Sequence, residues 1–202
     1  MGKLVEQYNL DYNDRYLKEN DELRRLWLNR EIDDDSIDDI VYSIFRYNRM
    51  DKGVPVEERI PIVIYINTDG GSVNSGFSVI DSIINSETPV YTVNVGRCYS
   101  MGFLIFIAGH KRYALRNSTF LMHDGSTGAY FETTSKMIDR LDFETKDMEE
   151  HTKNHILNNT NITDTLYDEK LRCEWYFYPE EAKKYGVVDE IVGVDCDINS
   201  IL

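Results

Sequence analysis

Ser100, His123 and the glycine pair Gly70 and Gly71 are residues whose types and placement could do covalent chemistry in this chain. A serine hydroxyl becomes a nucleophile only when a base lies within hydrogen-bond reach and backbone donors face the developing oxyanion. Ser100 follows the apolar run VYTVNV and opens the apolar stretch MGFLIFIAG, so its hydroxyl is expected at a strand-to-helix turn near the positive end of the helix dipole. The local pattern CYSMG lacks the first glycine of the GxSxG elbow, and a serine there also reads as a plain helix N-cap. Gly70 and Gly71 close another apolar run, where the lack of a side chain lets a substrate carbonyl approach an amide; a simple turn is the other reading. Neither GxGxxG nor the P-loop pattern is matched, which argues against a phosphate loop.

Four histidines could supply the base. His110 lies at the end of the apolar helix. His151 and His155 lie four apart on a charged helix with no HExxH glutamate and no third ligand, so a solvated helix face is the expectation rather than a metal site. His123 ends the strand TFLMH, at the edge where loops of α/β sheets gather their active sites.

The elements that must position these residues follow from periodicity. Leu26 to Leu28 reads as a short strand, followed by a helix in which Ile37, Ile40, Val41, Ile44 and Phe45 recur at three- and four-residue spacing. Ser36 and Asp39 resemble its capping box, and the acidic run Asp33 to Asp39 is expected to serve the helix dipole rather than a cation. The run PIVIYIN, Pro61 to Asn67, is continuously apolar and short, the mark of a parallel strand buried on both faces. A helix through Phe77, Ile80 and Ile84, a strand Val90 to Val95 and a helix Met101 to Ala108 complete a βαβ alternation, hence an α/β fold. Arg112 to Leu115 and Thr119 to His123 read as two further strands. From Glu132 to Asn159 a long charged helix carries Met137, Ile138, Leu141, Met148, His155 and Ile156 as its stripe, so it is expected to project or to pack on a partner. A shorter helix at Leu166 to Leu171, a helix in PEEAKKYG and a strand Val187 to Val192 follow. The organisation expected is an arm over residues 1–22, one domain over 23–194 with a projecting helix at 132–160, and a tail over 195–202.

Of 202 residues, 22 are Lys or Arg and 36 Asp or Glu, a formal charge of −14 that opposes binding to nucleic acid or an anionic membrane. Cys98, Cys173 and Cys196 are widely spaced without a CxxC pair, which suits a reducing compartment. The N-terminal stretch has no apolar core of a signal peptide and no run of 18 apolar residues occurs, so a cytoplasmic location is expected and the sequons at Asn117, Asn158 and Asn161 carry no meaning.

Together these pieces resemble the proteolytic subunits of the Clp protease, serine peptidases of the crotonase-like fold, a spiral of βαβ units with a projecting long helix. The family's strand-and-glycine motif reads here as YINTDGG, its nucleophile motif as YSMGFLIFIAG, its histidine strand as NSTFLMH and its closing signature as LRCEWYFYPEEAKKYGVVDEIV. The resemblance runs from about Arg24 to Val192. It implies Ser100 as nucleophile, His123 as general base, and the amides of Gly71 and Met101 as the oxyanion hole. It also implies that Gly125, Ser126 and Thr127 begin the segment that pairs with a peptide backbone, a β-augmentation with loose sequence preference. No cofactor or metal is implied. The implied partners are a peptide or unfolded protein as substrate, further copies of the chain in stacked rings, and an AAA+ unfoldase.

The chain departs from the family pattern in five places. The position of the family's third-triad aspartate holds Glu174, whose extra methylene adds about 1.5 Å of reach; the aspartate is then replaced by this glutamate, lost, or supplied by Asp168 through a shift in register. Thr68 and Asp69 replace a serine-proline pair, Asp124 replaces the glutamine after the histidine, and Asn85 replaces a docking-pocket aromatic, while Tyr65 and Tyr113 keep two others. The apolar N-terminal pore loop is missing. The activity implied is therefore serine endopeptidase hydrolysis inside a ring-shaped chamber, with a non-catalytic Clp-like ring subunit as the alternative. Acyl-thioester chemistry on the same fold is disfavoured by the Ser-Met-Gly and His positions.

Overall fold

The central strand accounts for most of the architecture. In the computed structural model, which describes residue 18, residues 21–125 and residues 133–202, strand β2 (Ile62–Thr68) is buried along almost its whole length. Its side chains alternate between two cores. Ile62, Ile64 and Ile66 join the large cluster under the helices, while Val63 and Tyr65 join a smaller one with Val93, Tyr113, Val192 and Ile201 on the other face. A strand that must satisfy both faces has no polar positions to spare, which is why the run reads as continuously apolar.

Strand β2 pairs in parallel with β1 (Arg25–Leu28) on one side and β3 (Val90–Tyr99) on the other. Strand β3 is longer than its apolar run. Its first half, Tyr91 to Asn94, pairs with β4 (Lys111–Leu115), and its second half, Arg97 to Tyr99, pairs with β5 (Thr119–Met122). The fork between them is held by Asn94, fully buried, whose side-chain Nδ2 donates to the Thr119 carbonyl and whose Oδ1 accepts from the Gly96 amide. Strand β6 (Trp175–Phe177) lies antiparallel to β5, and β7 (Glu190–Val192) closes the sheet beside β4. Helices α1 (Asp34–Met50), α2 (Val73–Ile84) and α3 (Met101–Ile107) cover the large-cluster face.

Several expectations need correction. The capping box of α1 is made by Asp33 and Ser36, not Ser36 and Asp39: the Ser36 amide donates to Asp33 Oδ1 at 2.7 Å and the Asp33 amide to Ser36 Oγ at 2.9 Å. The chain is still extended at Asp33, so the helix opens one turn earlier than apolar spacing suggests. Strand β7 is only Glu190–Val192, because Gly186 at φ +65 ends the preceding helix α7 (Pro179–Lys184) with a turn. His155 is not on a solvated face. It is buried and its Nε2 lies 2.9 Å from the Leu104 carbonyl, a group near the end of the short helix α3; burial pushes its pKa down, so the neutral ring donates there.

The long helical stretch is α4 (Thr134–Asp142), a π segment at Phe143–Met148 and α5 (Glu149–Asn159), followed by α6 (Asp164–Lys170). Every residue from Thr133 to Phe143 is exposed, including Met137, Ile138, Leu141 and Phe143. An apolar stripe so free of its own domain suits an intermolecular contact.

The chain's last residues form a 3₁₀ turn, Ile198–Ile201, that folds back on the smaller cluster. Ile201 is buried there and its carbonyl accepts the Tyr65 hydroxyl, while Ile198 and Leu202 are exposed. One side chain anchors the segment, so Ile201→Ala is expected to release it locally at a cost of about 2 kcal/mol. Amide exchange at residues 196–201 should then rise on the order of 30-fold while β2 and β3 keep their protection.

Candidate active site

The β3–α3 turn sets Ser100 in a backbone conformation that few side chains adopt, φ +53 and ψ −121. Arg24 and Ser100 are the two non-glycine residues with positive φ among the described residues. The conformation costs about 1–3 kcal/mol and must be held by its surroundings. The holders are visible: the Ser100 amide donates to the Leu121 carbonyl at 3.0 Å, and the Ser100 carbonyl accepts from Phe103 in the first turn of α3. Ser100 is the N-cap of α3, yet its hydroxyl makes no capping bond. The plain N-cap reading therefore does not describe it, and the residue is half-buried at the turn.

Beyond the end of β2, Gly70 packs against this turn and Gly71 against Ile32. A methyl group on Gly70 would fall 2.7 Å from Ser100 Cβ and 2.9 Å from the Tyr99 carbonyl, and on Gly71 it would fall 2.2 Å from the Ile32 carbonyl. Both also sit at positive φ, +108 and +145, so side chains are excluded by space and by conformation. Thr68 uses its Oγ1 to accept the Gly70 amide at 3.1 Å, and Asp69 pairs outward with Arg97 at 2.7 Å, so this turn is pinned without a proline. Ile32 bonds the Gly70 carbonyl and the Ser72 amide, which turns the Gly71 amide away from that ladder. Neither the Gly71 amide nor the Met101 amide finds a backbone acceptor among the described residues outside the regular ladders; the latter is the first donor of α3 and has none within the helix. Gly70→Ala is expected to displace Ser100 by a substantial fraction of an ångström. Reaction of Ser100 with a fluorophosphonate should slow about 100-fold in a chain that still folds, measured by intact mass against time.

His123 follows the last residue of β5. The β5–β6 register pairs Phe120 with Phe177, Leu121 with Tyr176 and Met122 with Trp175, so the next pair in sequence is His123 with Glu174. His123 Nδ1 lies 3.1 Å from Glu174 Oε1, and its Nε2 is buried without a hydrogen-bond partner among the described residues. The longer glutamate side chain thus reaches the imidazole. Asp168 does not. It lies on α6 and pairs with Lys153 at 2.7 Å, which Asp164 also holds. No hydrogen bond joins Ser100 to His123 in this structure; such contacts tighten on substrate binding in many enzymes.

Asp124 and Gly125 are exposed, and Ser126 and Thr127 lie outside the described residues, as does most of the arm over 1–22. His110 is structural: its Nδ1 accepts the Val90 amide at 3.0 Å. Tyr176 went unnoticed in sequence. Its hydroxyl donates to Glu174 Oε2 at 3.2 Å. The available signal was the two-residue spacing from Glu174, which places both on one face of a strand. No described helix is long and apolar enough to cross a membrane.

A serine in a forced turn after β3, a histidine bound to a carboxylate after β5 and a glycine pair after β2 lie at the same end of neighbouring parallel strands, and comparison with known proteins shows the family of the chain. Residues 9–195 match the family model described as Clp protease. The ATP-dependent Clp protease proteolytic subunit 2 of Tropheryma whipplei is 31% identical over 186 residues, covering 88% of this chain and 93% of that protein. Subunit 3 from Streptomyces coelicolor is 34% identical over 146 residues, 70% of this chain and 65% of that protein, and the match to the Deinococcus radiodurans subunit likewise spans only 64% of its length. Among solved structures, a ClpP1 variant from Listeria monocytogenes superposes with a TM-score of 0.73 at 20% identity, over 93% of this chain and 99% of that one. The α/β fold is that of the Clp protease, and by sequence as well as by fold the chain belongs to the Clp protease family.

Proposed function

We propose that this chain is a serine endopeptidase that hydrolyses peptides and unfolded proteins as the proteolytic subunit of an ATP-dependent protease. The observations that carry the proposal are an uncapped serine hydroxyl at φ +53 after β3 and, after the paired strand β5, an imidazole bound to a carboxylate at one ring nitrogen and buried without a partner among the described residues at the other. Ser100 Oγ attacks the peptide carbonyl while His123 Nε2 takes its proton, and Glu174 holds Nδ1–H and balances the imidazolium. The amides of Gly71 and Met101 receive the oxyanion. His123 then gives its proton to the leaving amine, and a water, deprotonated by the same nitrogen, hydrolyses the acyl-enzyme and frees Ser100.

The relatives' names speak of ATP dependence and of a proteolytic subunit, and the exposed stripe of Met137, Ile138, Leu141 and Phe143 is a suitable contact between copies in stacked rings. An AAA+ unfoldase would feed the chamber, with Gly125, Ser126 and Thr127 beginning the substrate-pairing segment, in a cytoplasmic setting. A second reading, a non-catalytic ring subunit, draws on the Ser100–His123 contact that is not formed here and on Glu174 in place of the family's aspartate. Fluorophosphonate labelling separates the two, because it needs a serine activated by a base and oxyanion donors. One added phosphonyl group on Ser100, absent in Ser100→Ala, supports the endopeptidase; a folded, assembled chain that takes none is the non-catalytic subunit.

A further inference from the structure

A glutamate as orienting carboxylate brings a problem that an aspartate does not. Glu174 is exposed, with 59% of its side chain open to solvent, and it has three rotatable bonds to fix before it can hold His123. Freezing such a side chain costs up to about 2 kcal/mol, comparable to what one exposed hydrogen bond returns. A single contact at Oε1 therefore leaves it free to leave the imidazole.

The second carboxylate oxygen is also engaged. Tyr176, two residues along β6 and on the same face, donates its hydroxyl to Glu174 Oε2 at 3.2 Å. Tyr176 is in turn fixed against the nucleophile's strand. Its ring meets that of Tyr99 edge to face, with centroids 5.6 Å apart and planes at 82°, and both residues are register partners of Leu121 on β5. Tyr99 immediately precedes Ser100, and its own hydroxyl is 2.8 Å from Thr119 Oγ1 at the start of the strand that leads to His123. The carboxylate, the base and the nucleophile are thus linked through two tyrosines in edge-to-face contact. Desolvation and the bond to Glu174 push the Tyr176 phenol above its ordinary value, so it stays protonated and donating at neutral pH.

The geometry points to Tyr176 as a positioning residue that clamps the Glu174 carboxylate onto His123 and, through Tyr99, ties that carboxylate to the strand bearing Ser100. This rests on the catalytic reading of Ser100, His123 and Glu174 given above. The phenol touches no reacting atom and acts only through the carboxylate.

Tyr176→Phe isolates the hydroxyl, since the ring keeps its place on Tyr99. The full-length chain is reacted with a fluorophosphonate, and the maximal inactivation rate is separated from the concentration giving half that rate. Tyr176→Phe is expected to lower the maximal rate about 3- to 10-fold with the half-saturating concentration unchanged, and to change nothing further in a Glu174→Ala background. A rate equal to that of the unaltered chain overturns the role. So does a loss of the same size with Glu174 absent, or a change confined to half-saturation, because either means the hydroxyl acts elsewhere. Failure of the underlying reading looks different: the unaltered chain takes no label, or Ser100→Ala still takes it, and the clamp falls with it.

Discussion

Ser100→Ala is expected to lower peptide hydrolysis on the order of 10⁴-fold or more and to leave stability nearly unchanged. The first half follows from covalent catalysis. Without Oγ there is no acyl-enzyme, and what remains is the modest contribution of oxyanion donors and binding. The second half follows from the hydroxyl's lack of a capping bond, so that its loss unsatisfies no amide of α3. Ser100→Gly sharpens the contrast. The φ of +53 costs a side chain about 1–3 kcal/mol that glycine does not pay, so this variant should be equally inactive yet as stable as the parent or slightly more so. Thermal unfolding beside hydrolysis of a fluorogenic peptide reads both halves. Substantial turnover in either variant removes Ser100 from the mechanism, and a large drop in stability would mean that the hydroxyl is structural.

The largest effect on stability is expected far from the site, at Arg24 and Asp51. Both side chains are 8% exposed, and the guanidinium forks onto the carboxylate, with Nη2 2.7 Å from Oδ1. The pair joins the start of β1 to the end of α1, and it is fully provided with partners: Arg24 Nη1 also donates to the Ile60 carbonyl at 3.0 Å, and Thr88 Oγ1 donates to Asp51 Oδ2 at 2.7 Å. The Arg24 charge sits 4.9 Å above the Tyr47 ring. Removing one partner strands the other charge in the interior, so Asp51→Ala should cost about 3–5 kcal/mol, a large share of the roughly 5–15 kcal/mol that holds a domain together. The Arg24 guanidinium, with a smaller contribution from Thr88, holds the Asp51 carboxyl below the ordinary carboxylate range. Because the folded value is depressed, this stabilisation is complete above the unfolded value of about 3.9 and is lost as pH falls through the folded one. Urea unfolding of the parent should therefore weaken steeply below about pH 4, and Asp51→Ala should lack that part of the slope. A cost under about 1 kcal/mol at pH 7 would show the pair to be no better than its desolvation.

Much of the path to the site was legible along the chain because it is local. A doubly buried strand must be apolar throughout, so PIVIYIN announces β2; a backbone that passes against another backbone admits only glycine, so Gly70 and Gly71 mark the crossing; and an apolar helix opening directly on a serine marks the Ser100 turn. The strand and the helix opening are patterns within a few residues, the range over which sequence and backbone conformation are coupled; the glycine pair is legible as a turn signal, although what excludes side chains there is Ser100 and Ile32, far off in sequence.

What the chain order left open was settled by contacts between distant segments. Whether Glu174 or Asp168 meets His123 is a matter of antiparallel register between β5 and β6, and β6 has only three residues, too few for a periodic signal. The same pairing brings Tyr176 to Glu174, while Lys153 holds Asp168 elsewhere. His155 reads as a surface residue by its charged neighbours, yet it is buried because α5 lies against α3, where the Leu104 carbonyl needs a donor. Residue types and local spacing determined which groups could do chemistry in this protein. Only the tertiary structure decided which of them meet, because a hydrogen bond across 51 residues depends on how strands align and not on any property of the residues between them.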